Sequence, residues 1–152
     1  MTSQQHYSIG TPGKPWGKED KAAWLSQQII KRSYQQQVVA KVEKIEQDSS
    51  KLLVVEQYGA LSYDPDTYTL WVIKTKYWQD HKPTVLITGG VHGYETSGVQ
   101  GALRFVETIL GSYADTYNFI VAPCISPWGY ETINRWNPST IDPNRSFKSD
   151  TA

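Results

Sequence analysis

Two short stretches of the chain carry side chains that could do chemistry. In TVLITGGVHGYETSG (84–98), His92 and Glu95 stand three residues apart, directly after an apolar run and a pair of glycines. A neutral imidazole and a carboxylate are both good zinc ligands, and two or three protein ligands plus water make a catalytic centre. In IDPNRSF (141–147), Asn144 and Arg145 set an amide beside a forked guanidinium. That pairing suits a carboxylate, which arginine grips with two parallel hydrogen bonds while asparagine adds a donor. Neither pattern decides alone. His-x-x-Glu also fits a loop histidine beside a glutamate favouring a helix start, and an isolated Asn-Arg also fits a surface turn with a salt bridge.

The elements that must position these groups can be read from periodicity. TVLITGG is a short continuous apolar run, expected as a strand covered on both faces. VQGALRFVETILG places Val99, Ala102, Leu103, Val106 and Ile109 on one helical stripe, with Gly111 as its C-terminal stop. NFIVAPCI is a second buried strand, and strand, helix, strand in this order makes a βαβ unit with a parallel pairing. Ligands in such sheets bind at the carboxyl ends of the strands, where His92 and Glu95 fall. Gly89, Gly90 and Gly93 allow the tight backbone that such a turn needs.

Upstream, KLLVVEQYGAL and TYTLWVIKTKY flank SYDPD and read as a hairpin of antiparallel strands. A helix is expected from Glu19 through EDKAAWLSQQIIKRSYQQQV, with Trp24, Leu25, Ile29, Ile30 and Tyr34 on its apolar stripe. Glu19 and Asp20 suit its N-terminus, and Gln35 to Gln37 form its solvated end. Residues 1–17 hold five glycines and prolines and read as an irregular arm, leaving 18–152 as the domain. The segment SPWGYETINRWNPSTIDPNRSFKSDTA, rich in Pro, Asn and Ser, reads as functional loop. The fold expected is α/β: a mixed, mostly parallel central sheet with flanking helices.

Composition narrows the function. With 152 residues and 39% hydrophobic content, the chain can bury one real core. Fifteen basic and fifteen acidic residues cancel, which argues against nucleic acid or an anionic membrane as partner. A single cysteine, Cys124, excludes an internal disulfide, and its apolar setting predicts a buried, inert thiol. No signal-like or membrane-length apolar run occurs, so a cytoplasmic setting is expected.

GGVHGYE, APCISPWGYE and IDPNRSF, in this order, together resemble the zinc carboxypeptidases of the carboxypeptidase A type. The wider clan includes aspartoacylase and succinylglutamate deacylase. The resemblance runs from about Lys51 to Phe147 and is specific as a combination. It implies the phosphorylase/hydrolase-like fold of that family and a zinc cofactor. It also implies hydrolysis of an amide bond next to a free carboxylate, in a peptide or an acyl-amino acid. By this likeness His92 and Glu95 are the first two zinc ligands, and Asn144 and Arg145 the clamp for the substrate's terminal carboxylate. Asp142 matches the aspartate that takes the metal histidine's other N–H. Arg135, in NRW, matches the arginine that polarises the scissile carbonyl and stabilises the oxyanion.

The match has departures. Ser126 and Trp128 replace the family's Asn and Asp in its N-P-D-G turn, and Pro143 stiffens the D-x-N-R segment. The family's third ligand is a histidine well downstream, with a glutamate beyond it as general base. This chain has His6, His81 and His92, and none follows Glu95. His6 lies in the arm, and His81 precedes the ligand strand at its other end. Glu131 stands at a turn position of the family and not at its base. The catalytic set is therefore incomplete, and three accounts are open. The chain is the N-terminal part of a longer metallopeptidase and inactive by itself; or it binds carboxylates without catalysis; or a homo-oligomer supplies the missing ligand from another subunit. Within the enzymatic readings, an N-acyl-amino-acid deacylase is the alternative to a carboxypeptidase.

Overall fold

A computed structural model describes residues 8–147. Its elements are α1 (Lys18–Ser26), a π-helical turn (Gln35–Val39) leading into α2 (Ala40–Ser49), β1 (Leu53–Ala60), β2 (Thr69–Thr75), β3 (Thr84–Thr88), α3 (Thr96–Thr108), β4 (Asn118–Ala122) and α4 (Pro127–Thr132). The strands form one sheet in the order β1-β2-β4-β3. The hairpin is as expected: β1 and β2 are antiparallel, with a register shift between Gln57 and Gly59. β3 and β4 are parallel neighbours joined through α3, as the βαβ reading requires. The sheet is mixed, but among the described strands the balance differs from a mostly parallel one. Because β2 pairs with β4 antiparallel, only one of the three pairings is parallel.

The core lies on one face of the sheet. Ile73, Val121 and Ile87 align across β2, β4 and β3 by register. α3 packs on β3 and β4, with Val99, Ala102, Leu103 and Val106 buried. α2, left unassigned by the sequence pattern, packs on β1, with Val42 and Ile45 buried beneath Val38 of the preceding turn. Burying such aliphatic side chains stabilises the fold by about 1.5–3 kcal/mol each.

β3 departs from expectation. It is the edge of the described sheet, and Thr84, Leu86 and Thr88 point to an exposed face; Leu86 is 65% exposed. A continuous apolar run predicts cover on both faces, but here helices cover only one. The long N-terminal helix is also broken. α1 stops at Ser26, Ile29 and Ile30 are exposed, and the chain turns again only at Gln35. The amides of Lys31 and Arg32 donate to the Glu131 carbonyl instead of to a helical partner four residues back. Contact with a distant residue thus overrides local periodicity. At the start of α1, Asp20 Oδ2 accepts the Gly17 N–H at 2.8 Å, so the acidic first turn does cap the helix. α3 ends at Thr108, with Gly111 inside a following 3₁₀ turn.

The stretch read as loop from Ser126 onward begins with a helix. All six residues of α4 are buried, and Ile133 ends it in the left-handed conformation at φ 56°. Trp128 and Tyr130 drive this burial, and the Pro at the first position is compatible with a helix start. Among the described residues no helix is long and apolar enough to cross a membrane.

Candidate metal centre

The site is assembled where β3 and β4 end side by side. Beyond Thr88 the pairing continues through Gly89 N–H to the Ala122 carbonyl at 2.9 Å, then from Ile125 and Ser126 N–H back to Gly89 and Gly90, both at 3.0 Å. Gly90 adopts φ +60°, and a Cβ there would meet Val99 at 2.5 Å. Gly93 lies directly on α4: a Cβ at this position would stand 1.7 Å from the Gly129 carbonyl carbon. The ligand turn therefore rests on α4 backbone, which only glycine permits.

His92 projects from this turn and is nearly buried, its side chain 7% exposed. Its Nδ1 lies 2.8 Å from Glu95 Oε1, and its Nε2 lies 2.9 Å from Asp142 Oδ1. Glu95, at the N-terminal edge of α3, is more open. Asp142 Oδ1 also accepts the Asn144 N–H at 2.9 Å and so caps the 3₁₀ turn Pro143–Arg145. Its Oδ2 accepts Arg135 Nη2 at 2.9 Å and Nε at 3.3 Å. One carboxylate thus joins the histidine, the arginine and the Asn144-Arg145 turn.

These contacts decide protonation. Partial burial works to raise the Asp142 carboxyl, but hydrogen bonds from His92, Arg135 and the Asn144 amide overcome it and hold the group at about 2. Asp142 is then ionised and accepts only, so His92 Nε2 carries the proton. With that proton on Nε2, the other ring nitrogen, Nδ1, faces the Glu95 carboxylate. Two such acceptors 2.8 Å apart need a cation between them, whether a proton or a metal ion. The pair therefore fits two corners of a zinc centre with the histidine's tautomer fixed. Among the described residues no group of three or more His, Cys, Asp or Glu is arranged to hold a metal ion. His81 is exposed before β3, at the strand end away from His92, and His6 lies outside the described residues.

The structure brings together His92, Glu95, Asp142 and Arg135. It places Asn144 and Arg145 on the adjoining turn with exposed side chains. Glu131 is not part of this cluster: buried in α4, it accepts the Tyr34 N–H at 2.6 Å and the Tyr68 hydroxyl at 3.0 Å. Two participants escape the sequence reading. Tyr94 stacks on His92, with centroids 5.8 Å apart and planes 2° from parallel, and its hydroxyl accepts from Arg135 Nη1 at 3.0 Å. Its place between His92 and Glu95 is the available signal. The other is Arg32, sixty residues upstream, for which the sequence offers no signal.

Comparison with known proteins identifies the family and the fold. The zinc carboxypeptidase family profile matches residues 38–152, and the chain belongs to that family. Comparison with curated protein sequences finds no match. Among solved structures, a proposed metallopeptidase from Shewanella denitrificans OS217 superposes with a TM-score of 0.64 at 23% identity, over 75% of this chain and 41% of its own. A second, from Shewanella amazonensis SB2B, gives 0.63 at 21% identity, covering 76% and 44%. Bovine thrombin-activatable fibrinolysis inhibitor, solved in complex with tick carboxypeptidase inhibitor, gives 0.54 at 17% identity, covering 84% and 36%. The chain thus spans less than half the length of these structures, and they share its fold.

Proposed function

We propose that this chain supplies one half of a zinc metallocarboxypeptidase site, which hydrolyses the amide bond next to a free carboxylate. The observation that carries the reading is His92 held between Glu95 and Asp142, with Arg135 on the same aspartate. His92 Nδ1 and Glu95 would hold the zinc, which when bound polarises a carbonyl and activates water. Asp142 keeps the proton on His92 Nε2 and so leaves Nδ1 free to bind. Arg135, anchored by Asp142 and Tyr94, presents a fixed positive charge beside the ligand pair for a developing oxyanion. Asn144 and Arg145, open to solvent on the capped turn, grip the terminal carboxylate of a peptide.

Metal binding by the purified chain tests the site. Zinc bound at one site, lost in His92→Ala and in Glu95→Ala but kept in His81→Ala, is the expected result. Zinc binding indifferent to His92 refutes the assignment. Activity belongs to the protein that joins this chain to a third ligand. There, a blocked dipeptide with a free terminal carboxylate should be cleaved and its terminal amide spared. Preference for an N-acyl amino acid would place the protein with the deacylases instead.

A further inference from the structure

We propose that Arg32 is a positioning residue for the two metal ligands, acting on the turn that carries them. This rests on the zinc reading above. Arg32 lies in the break between α1 and the π-helical turn, upstream of residue 38 where the family profile begins. Its guanidinium donates to three groups. Nη2 reaches the Gly93 carbonyl at 2.7 Å, Nη1 reaches the Thr96 hydroxyl, and Nε reaches the Tyr130 carbonyl. Its plane also sits over the Tyr130 ring, with Cζ 3.5 Å from the centroid.

The placement of these partners carries the inference. Gly93 lies between His92 and Glu95, and Thr96 directly follows Glu95. Two bonds from one rigid fork therefore bracket the second ligand and fix its backbone relative to the first. The fork is itself anchored to α4 through Tyr130, and α4 is the element on which Gly93 rests. The Arg32 backbone is held too, because its amide and that of Lys31 donate to the Glu131 carbonyl at 3.3 and 2.8 Å. Within the turn, Glu95 N–H to the His92 carbonyl at 3.1 Å is the bond that joins the two ligand residues directly through the backbone. Arg32 adds the outside brace. A lysine at this place keeps the charge but has no planar fork to hold Gly93, Thr96 and Tyr130 at once.

The experiment compares Arg32→Ala and Arg32→Lys with the unaltered chain by zinc competition against a chromophoric chelator and by amide hydrogen exchange. Arg32→Ala should weaken zinc binding about 10–100-fold, the usual loss when a support of a metal ligand is removed. Exchange at the Glu95 and Gly98 amides should quicken at least tenfold while amides of β2 and β4 keep their protection, with Arg32→Lys in between. Unchanged exchange at Glu95 and Gly98 overturns the proposal. Equal loss of protection in β2 and β4 overturns it as well, since Arg32 would then merely hold the fold. If the unaltered chain binds no zinc, the zinc reading falls, and the exchange ratio still decides for or against Arg32.

Discussion

Substitution of Gly93 by alanine tests how the ligand turn is built. The new Cβ would lie 1.7 Å from the Gly129 carbonyl carbon, 2.1 Å from its oxygen and 2.2 Å from the Tyr130 nitrogen. Carbon atoms in contact sit about 3.5–4.0 Å apart, so turn and helix must part by about 2 Å. All three obstacles are backbone, and α4 is buried along its whole length, so no side chain can swing aside. Overpacking of this kind costs about 1–3 kcal/mol, and the upper end applies where backbone must move. For a chain of 152 residues that corresponds to a fall in Tm of roughly 6–12 °C. Parting by 2 Å also breaks the 2.7 Å bond from Arg32 to Gly93 and draws His92 from Asp142. Gly101→Ala is the control. Gly101 is exposed within α3 with nothing inside 4 Å of an added Cβ. There alanine should stabilise the helix by about 0.5–1 kcal/mol. Thermal unfolding followed by circular dichroism separates the two. A Gly93→Ala protein that melts within 2 °C of the parent would refute the close approach on which the turn's geometry depends.

Two further outcomes follow from charge and burial. The Asp142 carboxyl is held below its ordinary 3.8, at about 2, so its contribution to stability is present above about pH 4 and lost as pH falls toward 2. Asp142→Asn should remove that part of the acid-unfolding slope, seen as a flatter dependence of Tm on pH over this interval, and should weaken zinc binding about 10–100-fold. Cys124 is buried, and desolvation pushes its thiol up to about 12. At pH 8 it should resist a thiol-reactive disulfide reagent until the chain is unfolded; rapid labelling of the native protein would contradict the packed strand end.

The hairpin, the βαβ unit and the tight turn after β3 are legible because each rests on local pattern. Tyr68, Leu70 and Val72 alternate, Val99, Leu103 and Val106 recur at helical spacing, and glycines flank a histidine after a strand. The break after Ser26 was illegible, because the Glu131 carbonyl that captures the Lys31 and Arg32 amides lies a hundred residues away. α4 was hidden for the opposite reason. Its proline and polar neighbours suggest loop, while burial of Trp128 and Tyr130 against the core makes it a helix. The apolar run Val85, Leu86 and Ile87 in β3 carries no record of how many faces of the strand are covered.

Residue type and spacing mark His92, Glu95, Asn144 and Arg145 as candidate groups for metal and carboxylate and set the local backbone they ride on. They do so through sterics and short-range hydrogen bonding. Which of these groups meet depends on long-range packing. It set Asp142 against the far nitrogen of a histidine fifty positions earlier, bound Arg135 to the same carboxylate, and drew Arg32 onto the ligand turn. Such contacts depend on the parallel pairing of β3 with β4 and on α4 beneath Gly93, since closing loops of that length has no signature in neighbouring residues.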